Sequence, residues 1–369
     1  MEKAKISASQ LFVLMVLFQL SNALLLPLAI EAGKDAWLAI LLAMAVSMVL
    51  FFVYHALYRY DSKSLPFEYM EKLIGKVFGR ILALLYILFF MFIAARVLRD
   101  YGEMLLTFAY PDTPLFVVSA LLILVVIYAV YKGIEVIART GEILFVFMFL
   151  LAIGTCLLIV SSGLVHLSNL RPILEDPPRI IHTVFTKTLY FPFGQIVVFL
   201  MVFPYLNQPK KMKKTGLLAI GGTGLILAVT MAINVSILGE DLTARSQFPY
   251  LATIQSIEVA GFLERLDVVF IVILVIGGFV KISVFFYGAV IGSASLFKVK
   301  KPSQLVYPMG VVILLLSMVI ANSYAEHINE GLEFFTPYIE LPFQVIIPVF
   351  LLMIAFFKNR KKKHIANQK

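Results

Sequence analysis

Tyr190–Pro209, YFPFGQIVVFLMVFPYLNQP, decides the fold. The stretch lies near the middle of the chain and is long enough and apolar enough to cross a bilayer. Yet Pro192 and Gly194 fall near its start and Pro204 near its end. Proline removes a backbone donor from a helix, and glycine removes the side chain that stiffens it. In lipid an unpaired backbone group costs several kcal/mol, so such a break survives only inside protein or beside a watery cavity. A second interrupted stretch, Gln19–Pro27 (QLSNALLLP), opens the chain. Two interrupted spans, one at the head of each half, are the sequence mark of a transporter-type binding site.

The bulk properties agree. Of 369 residues, 61% are hydrophobic and only 14% charged, against about 25% charged in soluble proteins; mean hydropathy is +0.95. The chain reads as an integral membrane protein. Its net charge of +9 does not indicate nucleic acid, because the basic residues gather in alternate loops. The single cysteine, Cys156, excludes an intramolecular disulfide and argues against a cysteine metal cluster. The first apolar run ends in a small-residue Ser21-Asn22-Ala23 site of the kind that signal peptides carry, but nine more apolar runs follow, and an uncleaved first span explains the sequence better.

With about 20 apolar residues needed per crossing, ten spans are expected, at 9–30, 36–57, 79–105, 114–131, 141–163, 187–207, 215–238, 266–291, 304–322 and 338–357. The third runs on past Ala95 into Arg96, Arg99, Asp100 and Glu103, where Arg96–Asp100 and Arg99–Glu103 are spaced to pair along one helix face. Lys and Arg set the orientation. Lys3, Lys5, Arg59, Lys63, Lys72, Lys76, Arg80, Lys132, Arg139, Lys210, Lys211, Lys213, Lys214, Lys298, Lys300, Lys301 and the tail 358–369 fall on one side; only Lys34, Arg171, Arg179, Lys187, Arg245 and Arg265 fall on the other. Both termini are therefore expected in the cytoplasm. The loop 58–80 reads as a short interfacial helix, and Leu251–Leu263 as an amphipathic stretch in an outer loop. The basic cluster Asn359–His364 serves to fix orientation. Five spans precede the central break and five follow it, and an odd number forces two like halves to sit inverted.

Six stretches carry a resemblance: QLSNALLLP (19–27), AGKDAWLA (32–39), YPDTP (110–114), GIEVIARTGEIL (133–144), FPFGQIVVFLMVFPYLNQPKK (191–211) and ERLDVVFIVILVIGGFVKIS (264–283). In this order over essentially the whole chain, they resemble the B subunits of spore germinant receptors, members of the amino acid–polyamine–organocation superfamily. The resemblance implies an all-α, LeuT-like membrane domain of ten helices in two inverted five-helix repeats, 1–163 and 187–357, with helices 1 and 6 unwound at midplane. It also implies a spore inner-membrane protein that senses amino acids or other small germinants, in complex with an A subunit and a lipoprotein C subunit. Where relatives often carry glycines in the first break, this chain has Ser21 and Ala23, which narrow the space beside the backbone.

At a break, one half-helix offers free N–H groups and the other free C=O groups. Together they suit the carboxylate and the ammonium of an amino acid. Ser21, Asn22, Ala23 and Leu24 are the candidates in the first break, and Phe193, Gly194 and Gln195 in the second; a kinked but packed helix is the plainer alternative. Lys281 lies mid-span in helix 8, where a charge costs roughly 2.5–3.5 kcal/mol, and no acidic residue is expected near the middle of a span to pair with it. In sodium-driven superfamily members helices 1 and 8 share a cation site, so the resemblance suggests that Lys281 stands in for that ion. Phe92 and Phe285 sit near midplane depth and are candidates for pocket walls. The five histidines, scattered near ends and loops, read as solvated. No Walker loop, H-E-x-x-H or nucleophile elbow is present, so no enzyme is expected, and the Asn234 sequon lies in an apolar helix. Three readings stay open: a ligand sensor, a secondary transporter, and a structural or ion-conducting subunit with a degenerate pocket.

Overall fold

A computed structural model describes residues 4–62, 64–256 and 266–366. The part of the amphipathic outer stretch beyond Ser256, and the side chains of the basic tail, lie outside the described residues. Capped by Ser7, whose hydroxyl accepts from the Gln10 amide, α1 runs Ala8–Leu20 and stops at Ser21. The chain then continues in turns to the 3₁₀ segment Ile30–Asp35. Thereafter come α2 (Ala36–Tyr60), the interfacial α3 (Pro66–Ile74), α4 (Lys76–Phe108), α5 (Leu115–Lys132) and α6 (Ile134–Ser161). The outer loop after α6 carries α7 (Pro177–Thr183). It docks on Asp35, whose carboxylate accepts from the amides of Leu174 and Glu175 at 3.1 and 3.2 Å.

The second half starts irregularly. A π-type helix, Val184–Phe193, contains non-helical backbone at Phe191, and a 3₁₀ helix, Gly194–Met201, follows. Then come α8 (Met212–Arg245), α9 (Pro249–Gln255), α10 (Leu266–Leu296) and α11 (Ser303–Val319). Gly239, at φ 77°, bends α8 so that it runs seven residues past its expected end. The last span covers Tyr324–Lys358, with α12 (Tyr324–Asn329) at its outer end and α13 (Ile347–Ala366) at its inner end.

Among the described residues, eight helices are long and apolar enough to cross a membrane, and two shorter apolar ones, α1 and α11, accompany them, in keeping with the ten spans expected. The buried spans, 184–201 and α10 above all, form the centre, while α5, α6 and α11 turn large apolar side chains outward. That is the distribution a lipid solvent demands. A short parallel bridge joins the head of α1 to the end of the sixth span. The Ile6 amide donates to Tyr205 O, and the Asn207 amide to Ile6 O, both at 2.9 Å.

The last span departs most from expectation. It begins 14 residues before the expected start at 338, and residues 330–340 and 342–346 are π-helical. Pro337, Pro342 and Pro348 each remove a donor, and the hydrogen-bond ladder slips to the wider i→i+5 pattern that is frequent at functional sites.

Candidate functional site

The first break lies where α1 ends. Its cause is local: Ser21 takes φ −20°, ψ −118°, Pro27 forbids a regular restart, and the turns 21–26 close on their own carbonyls. Among the described residues the amides of Asn22 and Ala23 make no backbone bond. Gly277 of α10 presses on this point; a β-carbon there would stand 2.8 Å from Ser21 Cα, so only glycine admits the approach.

Side chains then anchor the break. Ser21 Oγ and Tyr101 OH of α4 share a hydrogen bond of 2.9 Å. Asn22 bridges opposite charges: its Oδ1 accepts from Lys281 Nζ at 2.7 Å, and its Nδ2 donates to Asp100 Oδ2 at 2.9 Å. The other Asp100 oxygen meets His327 Nε2 of the last span at 3.0 Å. The Lys281 ammonium also lies over the rings of Phe18 and Phe191, 5.2 and 4.9 Å from their centroids. All four members of this string are at most 4% exposed.

Several expectations are corrected here. Lys281 is not without acidic neighbours, since Asp100 and Glu340 both lie within electrostatic reach. Asp100 does not pair with Arg96, whose Nη2 donates instead to His327 O at 2.6 Å; Arg99 does pair with Glu103, at 2.8 Å. His327 is not solvated but 1% exposed.

The second break falls at Phe191–Pro192, two residues before the expected Phe193–Gln195. Gln195 Nε2 donates to Glu340 Oε1 of the last span at 2.6 Å. Gly194 faces the Gln344 side chain, and Tyr54 OH reaches both Gln344 O (2.6 Å) and Gly194 O (3.3 Å). Gln344 is fully buried with both amide atoms unpartnered, and Gln195 Oε1 is unpartnered too.

Between the breaks, α4 and the last span is a cavity of about 50 Å³. Asn22, Arg96, Asp100, Gln195, Thr336 and Glu340 supply its polar wall, and Phe191 and Phe335 its main apolar one. A second, smaller space stacks on its outer side. It shares Leu26, Phe191, Ile328, Leu332 and Thr336 with the first and is lined further out by Glu31 and Lys187, an ion pair at 2.7 Å. Of the residues expected from sequence, Asn22 and Gln195 line the cavity. Ser21, Ala23, Leu24, Phe193, Gly194 and Lys281 lie in or against the breaks without being among its lining side chains. Phe285 packs behind, against Phe18 and Phe90 at 5.1 and 6.0 Å, and Phe92 packs at a tilt against Phe335 from the lipid side at 4.9 Å. Sequence reasoning missed Arg96, Asp100, His327 and Glu340 as site groups. Glu340, two residues inside the expected tenth span and followed by Pro342, was the available signal. Among the described residues no group of three or more His, Cys, Asp or Glu side chains is placed to hold a metal.

Comparison with known proteins identifies the family and the fold. A family model described as "Spore germination protein" fits residues 5–325. The chain is 52% identical over 364 residues to spore germination protein KB of Bacillus subtilis (strain 168), covering 98% of each chain. It is 25% identical over 366 residues to spore germination protein YndE of the same organism, covering 98% of this chain and 99% of that one. Among solved structures it resembles MhsT in complex with L-phenylalanine: TM-score 0.71, 15% identity, 96% of this chain and 89% of that one. It also resembles a Na⁺-coupled sialic acid symporter: TM-score 0.66, 15% identity, 96% and 79% covered. These structural likenesses establish the fold. The chain therefore belongs to the spore germination protein family, as a multi-pass membrane protein of the germinant-receptor B-subunit type built on a LeuT-like scaffold.

Proposed function

We propose that this chain is the ligand-sensing membrane subunit of a spore germinant receptor, that its ligand is a small zwitterion such as an amino acid, and that the ligand binds between the two breaks and the last span. One observation carries this reading: groups of both charge signs, Asp100, Glu340 and Arg96, converge with the amides of Asn22 and Gln195 on one buried space. The ligand's ammonium goes to the carboxylates, and its carboxylate to Arg96 and the open amides of the first break. A water needs about 10–15 Å³ of such space, so about 50 Å³ holds only a few waters. An amino acid needs the last span to move outward. A ligand shifts an equilibrium only through unequal affinity for its two states, and that displacement supplies the inequality. The movement is then passed to an A subunit and a lipoprotein C subunit in the spore inner membrane, with both termini of this chain in the cytoplasm.

Lys281, held to the first break through Asn22, takes the place of a coupling cation, so the response needs no sodium. The decisive experiment is a nutrient screen on spores carrying this receptor as their only one. An amino acid that triggers germination, and a loss of that response in Ala23→Phe spores with normal protein levels, is the expected result. An unchanged dose response in Ala23→Phe spores refutes binding at the break and leaves a structural or ion-conducting subunit. The fold shared with transporters favours a second reading, alternating-access transport. Uptake of labelled amino acid by vesicles holding this subunit alone would establish it.

A further inference from the structure

The last span carries a gap in its backbone ladder beside the second break. Two neighbouring carbonyls, Phe343 O and Gln344 O, have lost their helical donors. In an α-helix Gln344 O would accept from residue 348, and residue 348 is proline. Phe343 O would accept from Ile347, but the Ile347 amide has slipped back and donates to Pro342 O. The wider i→i+5 pattern offers Phe343 O no substitute, because its donor there would again be Pro348.

Tyrosines from two other helices fill both places. Tyr86 OH of α4 donates to Phe343 O at 2.7 Å, and Tyr54 OH of α2 donates to Gln344 O at 2.6 Å. Both rings are buried, and that of Tyr86 meets Phe343 edge to face at 5.0 Å. Tyr69 of α3 lines the same small apolar space as Tyr86 and is just as buried, yet its hydroxyl makes no hydrogen bond among the described residues. Burial of a ring here therefore does not by itself bring a partner for its hydroxyl.

We propose that Tyr54 and Tyr86 are positioning residues of the polar cavity: their hydroxyls hold the last span closed at this gap and so set how readily its Glu340 wall swings away. The gap adjoins that wall. Gln344 lies four residues past Glu340, and both are buried against the second break, where Glu340 accepts from Gln195 and Gln344 faces Gly194. Neither tyrosine lines the cavity itself. A buried carbonyl left without a partner costs free energy, so the span is favoured where both hydroxyls reach it. The donors lose less than the acceptors. Tyr54 OH has one proton and a second acceptor, Gly194 O, at 3.3 Å, to which it turns when Gln344 O withdraws. The cost of opening falls on the span that moves. The ligand reading above, on which this role rests, requires that movement, and the two hydroxyls set its cost.

The test uses the full-length protein in nanodiscs without nutrient. Thr336 lines the cavity and the space stacked on it. As Thr336→Cys in a Cys156→Ser background it becomes a reporter, and its rate of modification by a small methanethiosulfonate measures how often the cavity opens. Tyr54→Phe and Tyr86→Phe keep the ring and lose the donor. Each should raise the rate roughly three- to tenfold, the size of one net hydrogen bond. Tyr69→Phe should leave it unchanged. Pro348→Ala returns an amide to the gap and should bring the Tyr54→Phe rate back to that of the parent, a rescue that a merely packed ring does not predict. Pro348→Ala alone should slow modification, and this arm decides if melting temperature or monodispersity shows a phenylalanine variant to be misfolded. A rate unmoved in both folded phenylalanine variants, an equal rise in Tyr69→Phe, or a Tyr54→Phe rate that Pro348→Ala leaves high overturns the proposal. So does an unchanged or faster rate in Pro348→Ala alone. Modification is read without nutrient, so it succeeds or fails independently of the ligand proposed above, whose own signature is the Ala23→Phe dose response.

Discussion

The two breaks are stitched to different parts of the molecule. The first is bonded mainly to the long buried helices: Ser21 to Tyr101 and Asn22 to Asp100 on α4, and Asn22 to Lys281 on α10. α4 and α10 form the most extensive helix pair in the structure. The second break is bonded to the last span through Gln195–Glu340 and the Tyr54–Gln344–Gly194 contacts. That span is π-helical over most of the contact and leaves the Gln344 amide atoms unpartnered. On the reading proposed above, the contrast makes the first break a fixed wall of the ligand site, while the second shares an adjustable one with the last span.

The largest effect should come from the fixed wall. Asn22→Leu removes the amide that joins a buried ammonium to a buried carboxylate. Breaking such a network costs about 3–5 kcal/mol, so the melting temperature in detergent should fall sharply and little receptor should accumulate. If the variant is as stable as the parent, the first break is not held by this string. Next comes the adjustable wall. Glu340→Gln replaces a charged acceptor, worth about 1.5–3 kcal/mol in its hydrogen bond, but keeps the shape. The germinant concentration for half response should shift roughly ten- to hundredfold with little loss of stability. An equal shift from Asn22→Gln and none from Glu340→Gln would reverse the assignment of the two walls. Gly277→Ala drives a methyl toward Ser21 Cα and should weaken the response severalfold by displacing the first break, and Ser21→Gly, which loses the bond to Tyr101, should weaken it less. The smallest effect belongs to Lys187→Ala at the outer entrance. A part-exposed pair is worth about 1 kcal/mol or less, so its loss should change germination rate modestly, and more at low salt than at high.

The legible part of the fold was whatever depends on local composition. The apolar helices, the short helix at Pro66–Ile74 and the position of the first break follow from hydropathy, Pro and polar residues read in short windows. The second break was legible to within two residues, because Pro192 acts on the backbone just before it while Gly194 drew the expectation forward. The last span was misread at its start. Glu326, His327, Glu330 and Glu333 lower the hydropathy of a segment that is nevertheless helical, because its polar face meets Arg96 and Asp100. That pairing joins residues 227 apart in sequence, and no local window contains both partners. For the same reason His327 looked solvated and Lys281 unaccompanied.

The bridge that lashes Ile6 to Tyr205 and Asn207 bears on the choice between sensing and carrying. It splices the feet of the two leading spans, on the side where α1 begins, into one piece of backbone. A carrier that unloads on that side must swing those feet apart or drag both together on every cycle. A sensor has no cargo to discharge on that side and can keep its floor nailed shut, spending all its motion on the side from which nutrients arrive.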